Sequence, residues 1–324
     1  MKTDFITLAH GSGGQEMTEL IRRFSFFKGK WKNCDNDSAT LSIGGGKHLA
    51  FTTDSFTVDP IFFPGGDIGH LSFSGTVNDL AVMGATPLGL SLGFVMEEGF
   101  PMGDLGRITN SIARLSKSTC IPVVTGDTKV MGKGKMDKIV INTSGVGLVL
   151  EKELLKKKIA PGDRVILSGG LGEHAVALLS KRFNYETSIT TDSKPLIEEM
   201  KAIRSLIKVA KDPTRGGLAS ILNEMCERGK VGMVLDEDSI PAKPEVVKVA
   251  EMLGLNLYEL ACEGRLACVC SPENSNEVEK KLKRFNKDAS IIGGVVKGKG
   301  VIIQTILGKR VLPVPTGRIV PRIC

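Results

Sequence analysis

Twice along its length the sequence passes through one alternation: short β-branched runs, glycine turns, and segments with apolar residues every three and four positions. That alternation confines the chain to mixed α and β structure. In the first half the spacing predicts strands over residues 48–54, 87–96, 121–125 and 139–149, and helices over 17–24, 68–83 and 102–117. In the second half it predicts strands over 164–168, 232–236, 265–269 and 290–296, and helices over 173–180, 197–209 and 217–228. A charged run at 152–158 followed by Pro161-Gly162-Asp163 marks a joint between the halves. The expected organisation is an N-terminal domain over 1–155, a C-terminal α/β domain over 156–308 and a tail over 309–324. That tail carries Lys309, Arg310, Arg318 and Arg322, prolines at 313, 315 and 321 and no acidic residue, and it reads as an extended, mobile arm.

Composition narrows the function classes. With 41% hydrophobic and 24% charged residues the chain can bury a core, so disordered and collagen-like classes are excluded. The 38 glycines set against 5% aromatics favour phosphate-cradling loops over base-stacking platforms. A net charge of +7 favours anionic small molecules or an acidic partner but is too diffuse to indicate nucleic acid. No apolar run approaches the roughly 18 to 20 residues a membrane span needs. Seven cysteines, without a Cys-x-x-Cys pair or a signal peptide before them, suit a reducing cytoplasm.

Among nucleotide-loop motifs the common P-loop is absent. Gly170-Leu-Gly172-Glu-His-Ala175, with Asp192 further on, matches a loose dinucleotide fingerprint, yet residues 184–192 are polar and offer no second strand, so a plain strand-turn-helix joint is expected. Four carboxylates, Asp37, Asp54, Asp79 and Asp127, fall at expected strand ends and turns, where they could hold Mg²⁺ if a polyphosphate supplied the remaining ligands. Singly, each reads as a turn or cap residue. Asp212-Pro-Thr-Arg-Gly-Gly-Leu218 leads into a helix whose first N–H groups face an anion site, and Gly11-Ser-Gly-Gly14 could close over it as a flap. His10, His48, His70 and His174 lack zinc spacing, and Cys268 and Cys270 read as packed hydrophobes. Cys324, the last residue, could travel between sites on its arm, with Arg322 favouring the thiolate.

Residues 75–85, Val124-Thr-Gly-Asp-Thr-Lys129, Asp212-Pro-Thr-Arg-Gly-Gly217 and Cys262-Glu-Gly-Arg265 occur in the order typical of the superfamily containing aminoimidazole ribonucleotide synthetase and selenophosphate synthetase. Phe62-Phe63-Pro64-Gly65-Gly66 and above all the ending Pro321-Arg-Ile-Cys324 resemble the HypE family of hydrogenase maturation proteins, over essentially the whole chain. The resemblance implies an α+β, two-domain synthetase-like fold whose N-terminal sheet forms a barrel in a homodimer. It implies an ATP- and Mg²⁺-dependent carbamoyl dehydratase that converts an S-carbamoyl group on Cys324, placed there by HypF, to thiocyanate, and passes cyanide to the HypC–HypD complex for the [NiFe]-hydrogenase iron. By motif, Cys324, Lys129 and Glu263 are then catalytic, the latter two serving the amide proton removals. Asp37, Asp54, Asp79 and Asp212 are metal ligands, and Gly11, Gly13, Gly14, Asp54, Asn78, Asp79, Asp127, Thr128, Asp212, Thr214, Gly216 and Gly217 line the nucleotide. The stretch Cys34-Asp-Asn-Asp-Ser-Ala39 departs from the acidic-acidic-Ala-Ala form of the superfamily, which leaves Asp35 and Asp37 both open as ligands. Residues 183–194 carry no motif. Two other readings stand beside this one: a sibling phosphotransferase acting on a free small molecule, and a non-catalytic maturation carrier.

Overall fold

The structure is a computed structural model that describes residues 5–153, 155, 157–317, 320 and 322–324; Arg318 and Pro321 of the expected tail lie outside the described residues. A short N-terminal helix, α1 (Gln15–Arg22), precedes a five-stranded sheet built from β1 (Ala39–Gly44), β2 (Lys47–Phe56), β5 (Thr86–Glu97), β6 (Val123–Met131) and β7 (Ile139–Leu150), in the order β1-β2-β7-β5-β6. Within this sheet, among the described residues, β5 and β6 pair in parallel and the other neighbours are antiparallel. A two-residue ribbon of β3 (Phe62–Phe63) and β4 (Gly66–Asp67) leads into α2 (Ile68–Val82), and α3 (Met102–Thr119) connects β5 to β6.

Helix α2 explains how the two halves join. Asp67 caps it by accepting the His70 N–H at 2.9 Å. Its apolar residues surround the axis instead of forming one stripe, and nearly all of the helix is buried. A helix of that kind must be covered on every side. It lies against β2 and β7 on one flank and against the second half on the other.

The second half holds a seven-stranded sheet ordered β14-β13-β10-β12-β8-β11-β9. It comprises β8 (Arg164–Leu167), β9 (Ile207–Lys211), β10 (Gly232–Asp236), β11 (Ala267–Cys270), β12 (Ser290–Val296), β13 (Gly300–Thr305) and β14 (Gly308–Leu312). Helices α4 (Glu173–Phe183), α5 (Ile197–Ile203), α6 (Gly217–Gly229), α7 (Pro244–Met252) and α8 (Pro272–Leu282) accompany it. Cys268 and Cys270 are buried in one apolar cluster on this sheet, as packed hydrophobes.

Several expectations are corrected. The helix expected over 197–209 stops at Ile203, and Ile207–Lys211 is a strand: its β-branched residues pair with β11, so sheet pairing overrides helical spacing. The loose dinucleotide fingerprint, by contrast, is the plain strand-turn-helix joint expected: it sits between β8 and α4, and both neighbours of β8 are antiparallel, so it is not part of a βαβ unit. The segment read as an arm begins as β14, hydrogen-bonded to β13, and its far end is packed down. Val320 and Ile323 are 8% and 4% exposed and belong to a core cluster shared with Phe73, Ile108 and Leu178.

Candidate active site

Three carboxylates from distant parts of the chain converge where the halves meet. Asp37 comes from the loop before β1, Asp79 from the last turns of α2 and Asp212 from the residue after β9, and one oxygen of each lies within 4.8 Å of the others. The Thr52 hydroxyl stands 2.8 Å from Asp79 Oδ2 and 2.9 Å from the Asp37 carbonyl oxygen, and Ser38 Oγ donates to the Asp79 carbonyl at 2.9 Å. Asp54 is adjacent, accepting from Thr76 Oγ1 at 3.0 Å. The sequence placed it at the end of a strand over 48–54; β2 runs on to Phe56, so Asp54 lies inside the strand. Asp35 lies outside the cluster: its side chain is 77% exposed and faces Arg228 at 3.7 Å, whereas Asp37 is one of the three that converge.

The electrostatics of this group are those of a site short of positive charge. Burial, then repulsion from Asp54, Asp212 and Asp37, holds the Asp79 carboxyl well above the usual range. Burial, then the Asp37 charge, pushes Asp212 up to about 7. Burial raises Asp54 as well, against the pull of the Thr76 hydroxyl and Arg215. Lys211, buried on β9, pairs with Asp37 Oδ1 at 2.7 Å and Glu224 at 3.2 Å, yet Asp37 Oδ2 remains buried without a hydrogen-bond partner. Hard oxygen donors, mutual repulsion and an orphaned carboxylate oxygen together fit a divalent cation such as Mg²⁺.

Beside the cluster stands Glu263, 1% exposed, with Oε1 buried and unpartnered. Burial and then repulsion from Asp212 and Asp192 raise its pKa well above the usual range, with Arg215 opposing. Its loop is fixed from below. Asp192 accepts the Glu263 and Gly264 N–H groups, each at 3.3 Å, and a side chain at 264 would collide with the Asp192 carbonyl. Arg265 pairs with Glu173 and reaches the Gly170 carbonyl at 3.2 Å, so it does not neutralise Glu263. Asn78, expected at the nucleotide, is instead a clasp between the halves: it donates to the Lys194 and Glu263 carbonyls at 3.1 and 3.2 Å and accepts from Leu196 N–H at 2.8 Å. Both of its amide N–H groups and its Oδ1 are so engaged, and it has no exposed surface that would present it to a ligand in this structure.

The glycine-rich flap is in place over the α6 entrance. Ser220 Oγ donates to the Gly13 carbonyl at 2.8 Å, and Arg215 donates to the Gly11 carbonyl at 3.3 Å. Gly13 has φ +81° and would drive a side chain into the Arg215 backbone; Gly14 lies against Pro315. Thr214 turns the chain by donating to the Asp212 carbonyl at 2.9 Å and accepting Gly217 N–H at 3.0 Å, and Gly216 and Gly217 open α6.

The chain ends inside this site. Thr57 N–H donates to the Cys324 carbonyl at 3.0 Å and Asp59 N–H to the Arg322 carbonyl at 3.2 Å, so the last residues lie along 57–59 as an added strand would. Half-buried Cys324 has its thiol pushed up to about 12 by burial; Arg215 pulls it down while Glu263, Asp54 and Asp212 push it further up. The expected effect of Arg322 is corrected: its guanidinium turns away to Asp137 and the Thr57 carbonyl. Docked Cys324 is therefore a neutral thiol, and at about pH 8 iodoacetamide is expected to label it at least ~100-fold more slowly than exposed Cys120, because only the thiolate reacts. Peptide mass spectrometry reads both rates, and equal labelling would contradict the docked state.

Three expected residues are not brought to this site within one chain. Asp127, Thr128 and Lys129 lie within β6, whose residues are all exposed, and Lys129 Nζ pairs with Asp127 at 2.9 Å, each side chain 68% exposed. Conversely, Arg215, Lys211 and Asp192 belong to the site, although the sequence offered no role for the first two and named Asp192 only in the rejected dinucleotide fingerprint.

Residues 35–149 match the family model for the N-terminal domain of AIR synthase related proteins, and residues 160–306 match the model for their C-terminal domain. The fold and the carboxylate site thus define an AIR synthase related protein. The chain is 41% identical to carbamoyl dehydratase HypE of Rhizobium leguminosarum bv. viciae, over 98% of this chain and 95% of that one. A crystal structure of a HypE–HypF complex superposes with a TM-score of 0.85 at 38% identity, covering 93% of this chain and 100% of the other. One of the hydrogenase maturation protein HypE in complex with ATP gives 0.83 at 36% identity, covering 99% and 100%. The chain belongs to the HypE family of carbamoyl dehydratases.

Proposed function

We propose that this protein uses ATP to dehydrate an S-carbamoyl group carried on its own Cys324, giving a thiocyanate whose cyanide serves the [NiFe]-hydrogenase iron. The supporting observation is the position of Cys324, whose thiol shares its electrostatic neighbours Arg215, Asp54 and Asp212 with Glu263. HypF loads the sulfur, and the HypC–HypD complex receives the cyanide. No helix among the described residues is long and apolar enough to cross a membrane, and the seven cysteines are all free, which supports a reducing cytoplasmic setting.

The chemistry follows from the leaving group. An amide oxygen departs poorly as oxide, whereas phosphate departs readily. The carbamoyl oxygen takes the γ-phosphoryl group and ADP leaves; the two amide protons are removed, the C–O bond breaks and phosphate carries that oxygen away. The balance is S-carbamoyl plus ATP to S-cyano plus ADP plus inorganic phosphate. Glu263 accepts an amide proton, and the environment that raises its pKa makes its carboxylate a stronger base. Arg215 balances charge between the phosphoryl group and the carboxylates. Asp37, Asp79 and Asp212 would hold Mg²⁺, with Asp54 beside them; when bound, the ion neutralises phosphate charge. The amide N–H groups at the α6 entrance and the flap carrying Gly11, Gly13 and Gly14 would close around the phosphates.

Because Asp212 must lose its proton to ligate and its pKa stands at about 7, Mg²⁺ affinity is expected to fall on going from about pH 8 to pH 6, approaching ~tenfold per unit below the pKa. Calorimetry in buffers of different ionisation enthalpy should show proton release on binding; a flat profile would remove Asp212 from the metal site.

Lys129, Asp127 and Thr128 we place at the seam of a homodimer. Strand β6 is the open edge of its sheet, and Val124 and Val130 on it are 64% and 65% exposed, a hydrophobic edge that a second copy would cover. Light scattering is expected to give twice the chain mass; a monomer would take Lys129 out of the mechanism.

Intact-protein mass spectrometry tests the function itself. After incubation with HypF, carbamoyl phosphate and ATP, Cys324 is expected to gain a carbamoyl group and then lose water. A carbamoyl adduct that persists in ATP would argue for the carrier reading, and ATP turnover by a chain lacking its last four residues would argue for the sibling phosphotransferase.

A further inference from the structure

If the function above holds, Cys324 faces two opposite demands. Its sulfur must be offered outward to a loading enzyme too large to enter the site, and held inward for dehydration. Besides the packing of Val320 and Ile323 and the contacts of the Arg322 side chain, the inward position is held through three tail carbonyls. That of Arg322 accepts from Asp59 N–H and from Arg182 at 3.1 Å, and that of Cys324 accepts from Thr57 N–H. The carbonyl between them, of Ile323, lies 2.8 Å from His174 Nε2 on α4.

The protonation of His174 follows from its partners. A carbonyl can only accept, so Nε2 carries the proton and donates. In the neutral ring Nδ1 then accepts, and Thr191 Oγ1 donates to it at 2.8 Å while accepting Ser193 N–H at 3.0 Å. The Phe63 ring meets the imidazole edge-on, with centroids 5.4 Å apart. His174 has no exposed surface, and burial holds its pKa below the usual value, which favours this neutral form. The imidazole is thus fixed by Thr191 and Phe63, with its one N–H aimed at the tail. Withdrawal of the tail takes the partner from a buried donor, so the docked state gains from His174 what the released state forfeits.

We propose that His174 is the latch of the C-terminal tail: a positioning residue whose Nε2–H, bonded to the Ile323 carbonyl, sets how the chain divides between Cys324 seated for dehydration and Cys324 released for loading. The test compares full-length wild type, His174→Ala and His174→Gln. In the alanine variant, labelling of Cys324 by iodoacetamide is expected to rise about tenfold, the loss of one buried hydrogen bond. Loading by HypF should proceed at least as fast as in wild type, while single-turnover dehydration of the loaded protein slows. Glutamine, which can place an amide N–H near the former Nε2, should restore part of both. A merely structural role would slow both half-reactions together, and that outcome, or unchanged labelling of Cys324, overturns the proposal. Should the alanine variant not fold, Thr191→Val removes the hydroxyl that orients the ring and is expected to move labelling the same way by less; no movement there overturns it equally. Labelling requires neither HypF nor ATP, so a wild-type protein that fails to dehydrate would refute the function while the latch is still decided by the labelling rates.

Discussion

Replacing Cys324 with serine is expected to abolish thiocyanate formation, with the fold and nucleotide binding retained. The sulfur is the atom on which the substrate is carried, and a serine hydroxyl is too weakly nucleophilic to be loaded in its place. The substitution exchanges one half-buried atom at the end of the chain, so thermal stability should move little. Mass spectrometry should show no adduct at residue 324, and phosphate release dependent on HypF and carbamoyl phosphate should vanish. Phosphate release at the wild-type rate from the serine variant would mean that the acceptor is a free molecule.

Glu263→Gln carries the second large effect. Glutamine keeps the shape and loses the base, so loading of Cys324 should be intact while dehydration falls by about 10² to 10⁴, the usual worth of a positioned general base. Stability should hold or rise slightly, because the variant removes a buried carboxyl that Asp212 and Asp192 repel and whose Oε1 has no partner. The two readouts separate this role from a packing role: a packing defect lowers the melting temperature and slows loading too. Single-turnover decay of the carbamoyl adduct gives the rate, and decay at the wild-type rate would show that another group takes the proton.

How much of this was legible in the sequence depended on how local each signal was. Helix α2 and strands β2, β5 and β7 could be read because period and turn residues mark them within a dozen positions. Helices α7 and α8 each begin on a proline, Pro244 and Pro272, a local start signal, although neither is among the helices expected from spacing. Strand β9 was lost because a short run with Ile207 and Val209 becomes a strand only by pairing with β11. In the site, motifs located Asp79, Asp212 and Glu263. What they could not give was partnership across distance: Lys211 reaching Asp37, Asp192 holding the 263–264 backbone, and Arg215 facing the end of the tail. The tail itself misled. Prolines and arginines describe a chain that cannot be helical, but Val320 and Ile323 supply the apolar surface that seats it.

The central claim is that the site moves the carbamoyl oxygen of Cys324 onto phosphate. It is tested most directly by loading the wild-type protein with a carbamoyl group whose oxygen is a heavy isotope, removing free carbamoyl phosphate, and adding ATP for one turnover. The predicted result is one labelled oxygen in each inorganic phosphate formed, with loss from the protein at residue 324 of the mass of water bearing the heavy oxygen. Unlabelled phosphate, with the heavy oxygen released into water or retained on the sulfur, would contradict it.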